Sequence, residues 1–183
     1  MNELGKALLI LARNAIAGHF GLPVTALATD LPALHEAGAT FVTLTQRDNL
    51  RGCIGSLEAW RPLLVDVREN ALAAALRDPR FVPLSGDELA ITRIEVSLLT
   101  PPAAIAFGSQ AEALASLRPH IDGVIFSAGP RRSTFLPQVW EQLPQPVDFM
   151  AHLKQKAGLP ANYWGADVRL ERYTVEKWQE AAS

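Results

Sequence analysis

Leu4, Leu8, Leu11, Ala15 and Ile16 recur at helical spacing while Lys6, Arg13 and Asn14 fall elsewhere on the wheel, so the chain opens with an amphipathic helix. Gly21 and Pro23 end it. A polar-poor connector from Leu22 to Ala37 follows, broken by Pro32. Phe41, Val42, Thr43, Leu44 and Thr45 then read as a strand, Arg47-Asp48-Asn49 as a turn, and the segment around Cys53 as the returning arm of a hairpin. Pro62 suits a first helical turn. From there Leu63, Val67, Ala71, Ala74 and Ala75 carry a helical face towards Arg77, where Asp78-Pro79 stops it. Ser85 with Glu88, and Ser109 with Glu112, have capping-box spacing and predict two further short helices. Between them Ile94, Val96 and Leu98 alternate with Glu95 and Ser97, a half-buried strand that ends at Pro101-Pro102.

Val124-Ile125-Phe126 is a short apolar strand, Gly129-Pro130 a turn, and Ser133 to Leu136 its partner. Val147 to Ala157 reads as a helix closed by Gly158, and Val168 to Val175 as the last strand. No repeat, low-complexity tract or flexible linker interrupts the pattern, so residues 1–183 are expected to form one domain. Sharp hairpin turns with only intermittent crossover helices favour an α+β fold with a largely antiparallel sheet flanked by helices.

Composition narrows the class. The 183 residues are 49% hydrophobic and 20% charged, ordinary for a globular protein and ample for a real core. A net charge of −2 gives no long-range pull towards nucleic acid or anionic membrane. One cysteine excludes an internal disulfide. The N-terminus has no basic region followed by a pure apolar core, and Arg13 and His19 interrupt its apolar stretch. It therefore reads as neither signal peptide nor membrane span, and a cytoplasmic location is expected.

The candidate chemistry centres on that cysteine, in Leu50-Arg51-Gly52-Cys53-Ile54-Gly55-Ser56. Gly52 and Gly55 strip bulk from the backbone and let another group come close. In an extended run Arg51 and Cys53 share a face, and a guanidinium beside a thiol favours the nucleophilic thiolate. Glu95, on the later alternating strand, could supply a carboxylate if that strand is a neighbour. The alternative is that Cys53 is a small buried hydrophobe and the glycines mark a bulge. His19, His35, His120 and His152 are scattered, and one cysteine makes no zinc framework, so no metal site is expected. The chain has no Gly-rich phosphate loop and no dinucleotide fingerprint, and no cofactor is expected. The strongest anion-binding candidate is the turn Gly129 to Thr134, through Arg131 and Arg132; the alternative there is a solvated hairpin tip. Trp140, Tyr163, Trp164, Tyr173 and Trp178 crowd the C-terminal third, but Glu141, Asp148, Asp167, Glu171 and Glu176 dilute the positive charge a nucleic-acid platform needs.

Taken together, Leu50-Arg51-Gly52-Cys53-Ile54-Gly55, Asp78-Pro79-Arg80-Phe81, Ile94-Glu95-Val96-Ser97-Leu98-Leu99, Phe135-Leu136-Pro137-Gln138-Val139 and Lys156-Ala157-Gly158-Leu159 resemble the AMMECR domain family, whose prokaryotic members are called AmmeMemoRadiSam system protein A. The resemblance runs from the opening helix to the terminal strand. It implies a main antiparallel sheet flanked by helices, with a smaller second lobe. It also implies a place in a covalent-modification system beside a Memo-type protein and a radical-SAM protein. The iron–sulfur cluster would belong to the latter, since one cysteine cannot hold it. Three roles stay open, the third being a nucleic-acid-linked regulator, for which neither the charge balance nor the aromatic pattern asks. In the first the chain is an enzyme component with Cys53 as nucleophile, Arg51 steering an anion and Glu95 as base or orienting carboxylate. In the second it is a non-catalytic interaction module.

Overall fold

The computed structural model describes residues 1–28 and 30–181. The fold is α+β, and the chain divides into two compact units: Met1–Leu99 with Glu176–Ser183, and Thr100–Val175.

The first unit holds α1 (Glu3–His19), β1 (Ala37–Gln46), β2 (Asn49–Gly55), β3 (Arg61–Pro62), α2 (Leu63–Leu76), β4 (Arg93–Leu99) and β9 (Val175–Gln179). Its sheet runs β2-β1-β4-β9, with β3 pairing the start of β1. Asn2 caps α1 by accepting the Gly5 N–H at 2.8 Å, and α1 buries Leu8, Leu11, Ala12 and Ile16. Those side chains meet Val67, Ala71 and Ala74 of α2 and Val42, Leu44, Ile94 and Val96 of the sheet in one apolar core. The β1–β2 hairpin turns at Arg47 and Asp48, both at positive φ (49° and 63°), the backbone that matches strand twist in a two-residue turn.

A fully satisfied polar cluster ties this unit together. Asp66, with no exposed surface, accepts from the Thr40 N–H (2.7 Å), the Thr40 hydroxyl (2.7 Å), the Ser56 hydroxyl (2.6 Å), Arg61 Nε (2.8 Å) and Asn70 Nδ2 (3.0 Å). One carboxylate on α2 thus holds β1, the residue after β2, and β3.

The second unit contains β5 (Ala103–Ala104), α3 (Gln110–Ser116), β6 (Gly123–Ala128), β7 (Arg131–Phe135), α4 (Pro146–Lys156) and β8 (Val168–Tyr173), with strand order β5-β8-β6-β7. Trp140 stacks on Phe149 at 3.7 Å and donates its indole N–H to the Asp122 carbonyl at 2.7 Å, so its polar atom is satisfied inside the core.

Three differences from the sequence-based expectation have physical reasons. The last strand is two strands. The chain leaves β8 at Thr174, whose N–H bonds Thr100 Oγ1 at 2.8 Å, and resumes as β9 in the other sheet. The segment begun by Ser85 forms only a 3-10 turn, Asp87–Ile91, although Glu88 does accept the Ser85 N–H at 2.9 Å. Pro62 precedes α2, closing β3, instead of opening the helix.

Candidate functional site

Cys53 lies on β2 opposite Thr43 of β1, and Thr43 lies opposite Glu95 of β4. Directly opposed residues share a sheet face, so Cys53, Thr43 and Glu95 form one row on the face turned away from the apolar core. Their neighbours in sequence, Gly52, Val42, Leu44, Ile94 and Val96, face inward and are buried. Cys53 is half-buried, neither entombed nor fully open. Its Sγ is 3.3 Å from the Thr43 hydroxyl.

The two signature glycines have steric causes. A Cβ on Gly52 would stand 2.2 Å from the Ala74 carbonyl oxygen of α2, so the helix can approach β2 only because that position lacks a side chain. A Cβ on Gly55 would stand 2.2 Å from the ring of Phe41, its cross-strand partner; the ring occupies the space beside Cys53 that Gly55 leaves. Both glycines shape the site without offering it a ligand group.

Arg51 does not accompany the thiol as strict alternation requires. The register shifts between Leu44 and Thr45, which pair Gly52 and Leu50, so Arg51 is the extra residue of a bulge. Its guanidinium is directed to Glu88, with Nε at 3.0 Å and Nη2 at 3.3 Å, while Nη1 donates to the Val82 carbonyl at 2.9 Å. The side chain is 12% exposed. The Arg51 guanidinium, helped by the Ser85 N–H, lowers the Glu88 carboxyl to about 2.

A different arginine serves Cys53. Beyond α2 the chain folds Asp78 against the free edge of β2, where Asp78 Oδ2 accepts the Cys53 N–H at 2.9 Å. Arg80 returns along the same carboxylate, donating from Nε (3.0 Å) and Nη2 (2.7 Å), and Nη2 also reaches the Cys53 carbonyl at 3.2 Å. Asp78 and Arg80 therefore satisfy the edge of β2 as a further strand would. The Arg80 guanidinium, above all, holds the Asp78 carboxyl well below the usual carboxylate range, and burial opposes it. Arg80 is raised in turn by Asp78, with a smaller contribution from the charged form of Cys53. Its side chain is 54% exposed, and Nη1 has no hydrogen-bond partner among the described residues.

Glu95 shares the row but not the thiol's immediate surroundings, because Thr43 stands between them and the Glu95 carboxylate is 3.7 Å from Lys177 Nζ. Arg131 and Arg132 belong to the second unit, at the start of β7. Arg131 reaches Gly158 beyond the end of α4, where a Cβ would stand 2.7 Å from its Nη1. Among the described residues no group of three or more His, Cys, Asp or Glu is arranged to hold a metal ion, and no helix is long and apolar enough to cross a membrane.

Thr43, Asp78 and Arg80 were not singled out by sequence reasoning as site residues. The hairpin turn by itself pairs Cys53 with Val42; the bulge at Arg51 moves the pairing by one residue and brings Thr43 opposite the thiol. For Asp78 and Arg80 the available signal was an Asp-Pro-Arg run directly after a helix that packs on the cysteine strand. Both depressed carboxyls fix the pH behaviour. A carboxyl whose folded value lies below its unfolded one stabilises above the unfolded value and loses that contribution as pH falls towards the folded one. Urea unfolding is therefore expected to show constant stability above about pH 5 and a decline from there towards about pH 2. Asp78→Asn should flatten that decline; an unchanged slope would remove Asp78 as a cause.

The geometry is that of an α+β protein with a half-buried thiol on the outermost strand of an antiparallel sheet, that strand's free edge clasped by an aspartate–arginine pair. The AMMECR1 family profile matches residues 9–178, and the chain belongs to that family. A Methanothermobacter thermautotrophicus protein is 36% identical over 184 residues, covering 96% of this chain and 94% of its own length. A Thermotoga maritima protein is 40% identical over 146 residues, covering 79% of this chain and 78% of its own. The crystal structure of the uncharacterised protein PH0010 from Pyrococcus horikoshii superposes with a TM-score of 0.78 at 30% identity, covering all of this chain and 94% of the other.

Proposed function

We propose that this chain is the AMMECR-domain component of a covalent-modification system working with a Memo-type protein and a radical-SAM protein, and that Cys53 is its reacting group. The observation that carries the thiol reading is the placement of Sγ on the core-distal sheet face, with the half-exposed Arg80 guanidinium clasped to the same residue's backbone. The solvent-facing side of that guanidinium attracts an anionic partner towards the sulfur. In this reading the sulfur attacks an electrophilic atom of an anionic substrate and a new bond to sulfur forms. The leaving group departs with its electron pair, and the thiol proton goes to solvent. Arg80 takes the steering role that the sequence pattern suggested for Arg51. The two partner proteins are those that the resemblance to the AMMECR domain family implies.

Alkylation tests this directly, because iodoacetate and iodoacetamide attack the same thiolate and differ in charge. Their rate ratio cancels the thiolate fraction and reads the local field. For the folded protein the ratio, normalised to 2-mercaptoethanol, is expected to be raised about three- to fivefold. Arg80→Gln should abolish the rise and Arg51→Gln should leave it. No labelling of Cys53 short of denaturation would sink the reactive-thiol reading.

A second reading, a docking module, is favoured by Trp60, 71% exposed on the segment after the signature strand, with Leu57 also exposed beside it in sequence. Trp60→Ala would then lose co-purification with the partner proteins while leaving the alkylation ratio intact.

A further inference from the structure

We propose that the groove between residues 105–108 and 164–169 of the second unit binds a small planar aromatic carboxylate. The groove has a volume of about 610 Å³, in the range of small-molecule sites. Ile105 and Val168 are its buried lining residues, and Phe107 and Trp164, 5.5 Å apart between ring centroids, give it aromatic walls. Gly108, Gly165 and the alanines at 106 and 166 keep it open. An aromatic ring laid against Trp164 would gain both apolar burial and offset stacking.

The charge of the occupant follows from Arg169. Its Nη1 donates to the carbonyls of Ala166 (3.0 Å) and Val168 (2.9 Å), which pins the guanidinium against the groove wall. Among the described residues no carboxylate pairs with it, and its Nε and Nη2 have no hydrogen-bond partner. Arg118 and Arg172 of the same unit both pair with Asp122, so Arg169 is differently placed. A guanidinium fixed by neutral acceptors, with a free edge at an apolar groove, matches a carboxylate. Lys154 adds to the positive field. It is 1% exposed, among the described residues donates only to the Tyr163 carbonyl (3.0 Å), and lies 5.8 Å from the Trp164 ring centre. Burial lowers its pKa, as expected for an ammonium with no counter-charge.

Two carboxylates lie nearby, and both are engaged. Glu112 accepts the Gly108 N–H at 2.7 Å, and Asp167 accepts the Tyr163 hydroxyl at 2.8 Å. Glu112 disfavours an anion at the Gly108 end, so the ligand's carboxylate belongs at the Arg169 end.

The test uses 2-naphthoate and its neutral counterpart 2-naphthylmethanol as probes, followed by two-dimensional NMR of the whole ¹⁵N-labelled chain. Saturable shifts confined to the Trp164 indole N–H and the Gly108 and Gly165 amides are expected for naphthoate. Arg169→Gln should weaken naphthoate at least fivefold, Arg169→Lys less, and neither should change naphthylmethanol. Equal affinity for the two probes, indifference to Arg169→Gln, non-saturating shifts, or shifts centred on Trp60, Trp140 or Trp178 would each overturn the proposal.

Discussion

Replacing Asp66 with alanine is expected to lower the unfolding free energy by about 3–5 kcal/mol, the cost of removing one partner from a buried ion pair with its attendant hydrogen bonds. Five donors converge on that carboxylate, and the two from Thr40 cannot turn to water where they lie, because Thr40, like Asp66, has no exposed surface. Arg61 would lose its 2.8 Å acceptor and keep its charge, with a long contact to Asn70, 3.5 Å, and its stacking on Trp60. Asp66→Asn should be nearly as costly, since an amide turns a hydrogen-bearing nitrogen towards donors that need an acceptor. Urea unfolding followed by tryptophan fluorescence measures both. A loss below about 1 kcal/mol for the alanine variant would mean that water replaces the carboxylate. Because Ser56 directly follows the signature strand, the cluster also sets where that strand ends, and Cys53 labelling should lose its selectivity in the same variants.

The second large effect is expected at Gly52. A methyl group there must displace a main-chain oxygen of α2, 2.2 Å away, so no side-chain substitution at position 74 makes room. Overpacking against backbone moves the helix, and Gly52→Ala should cost about 3 kcal/mol. Asp78 follows α2 within two residues of its end, so the same displacement carries the clasp away from Cys53. The variant should therefore couple a lower urea midpoint with a fall in the iodoacetate-to-iodoacetamide ratio. Destabilisation with an unchanged ratio would show that the Asp78–Arg80 segment holds to β2 independently of the helix.

Much of the fold was legible because its signals are local. Alternation at Ile94, Val96 and Leu98, the helical stripe of α1, and Gly158 at positive φ after α4 all appear where the pattern placed them. The site was legible only in part. Cys53 and Glu95 do share a face, because pairing through Thr43 preserves the period of two. Arg51 escaped it because a bulge costs only a local break in the ladder and leaves no fixed residue signature; the glycine beside it was as compatible with a bulge as with a ligand approach. Arg80 was hidden for another reason. Its role depends on α2 delivering residue 78 to the edge of β2, a long-range packing outcome that no window of sequence contains. The break at Thr174 was missed since Tyr173 and Val175 continue an extended pattern that says nothing about which sheet each half joins.

The path of the chain has a consequence for biosynthesis. Residues 100–175 are an insertion between two strands of the first unit, and its ends are stitched together where the Thr100 N–H bonds the Thr174 carbonyl at 2.9 Å. Strand β9, the Trp178 indole against Gly5 and the Glu180 carboxylate that anchors Arg13 are all made after the inserted unit. The cysteine-bearing unit, though begun first, cannot complete its sheet until the residues that follow the inserted unit have been made.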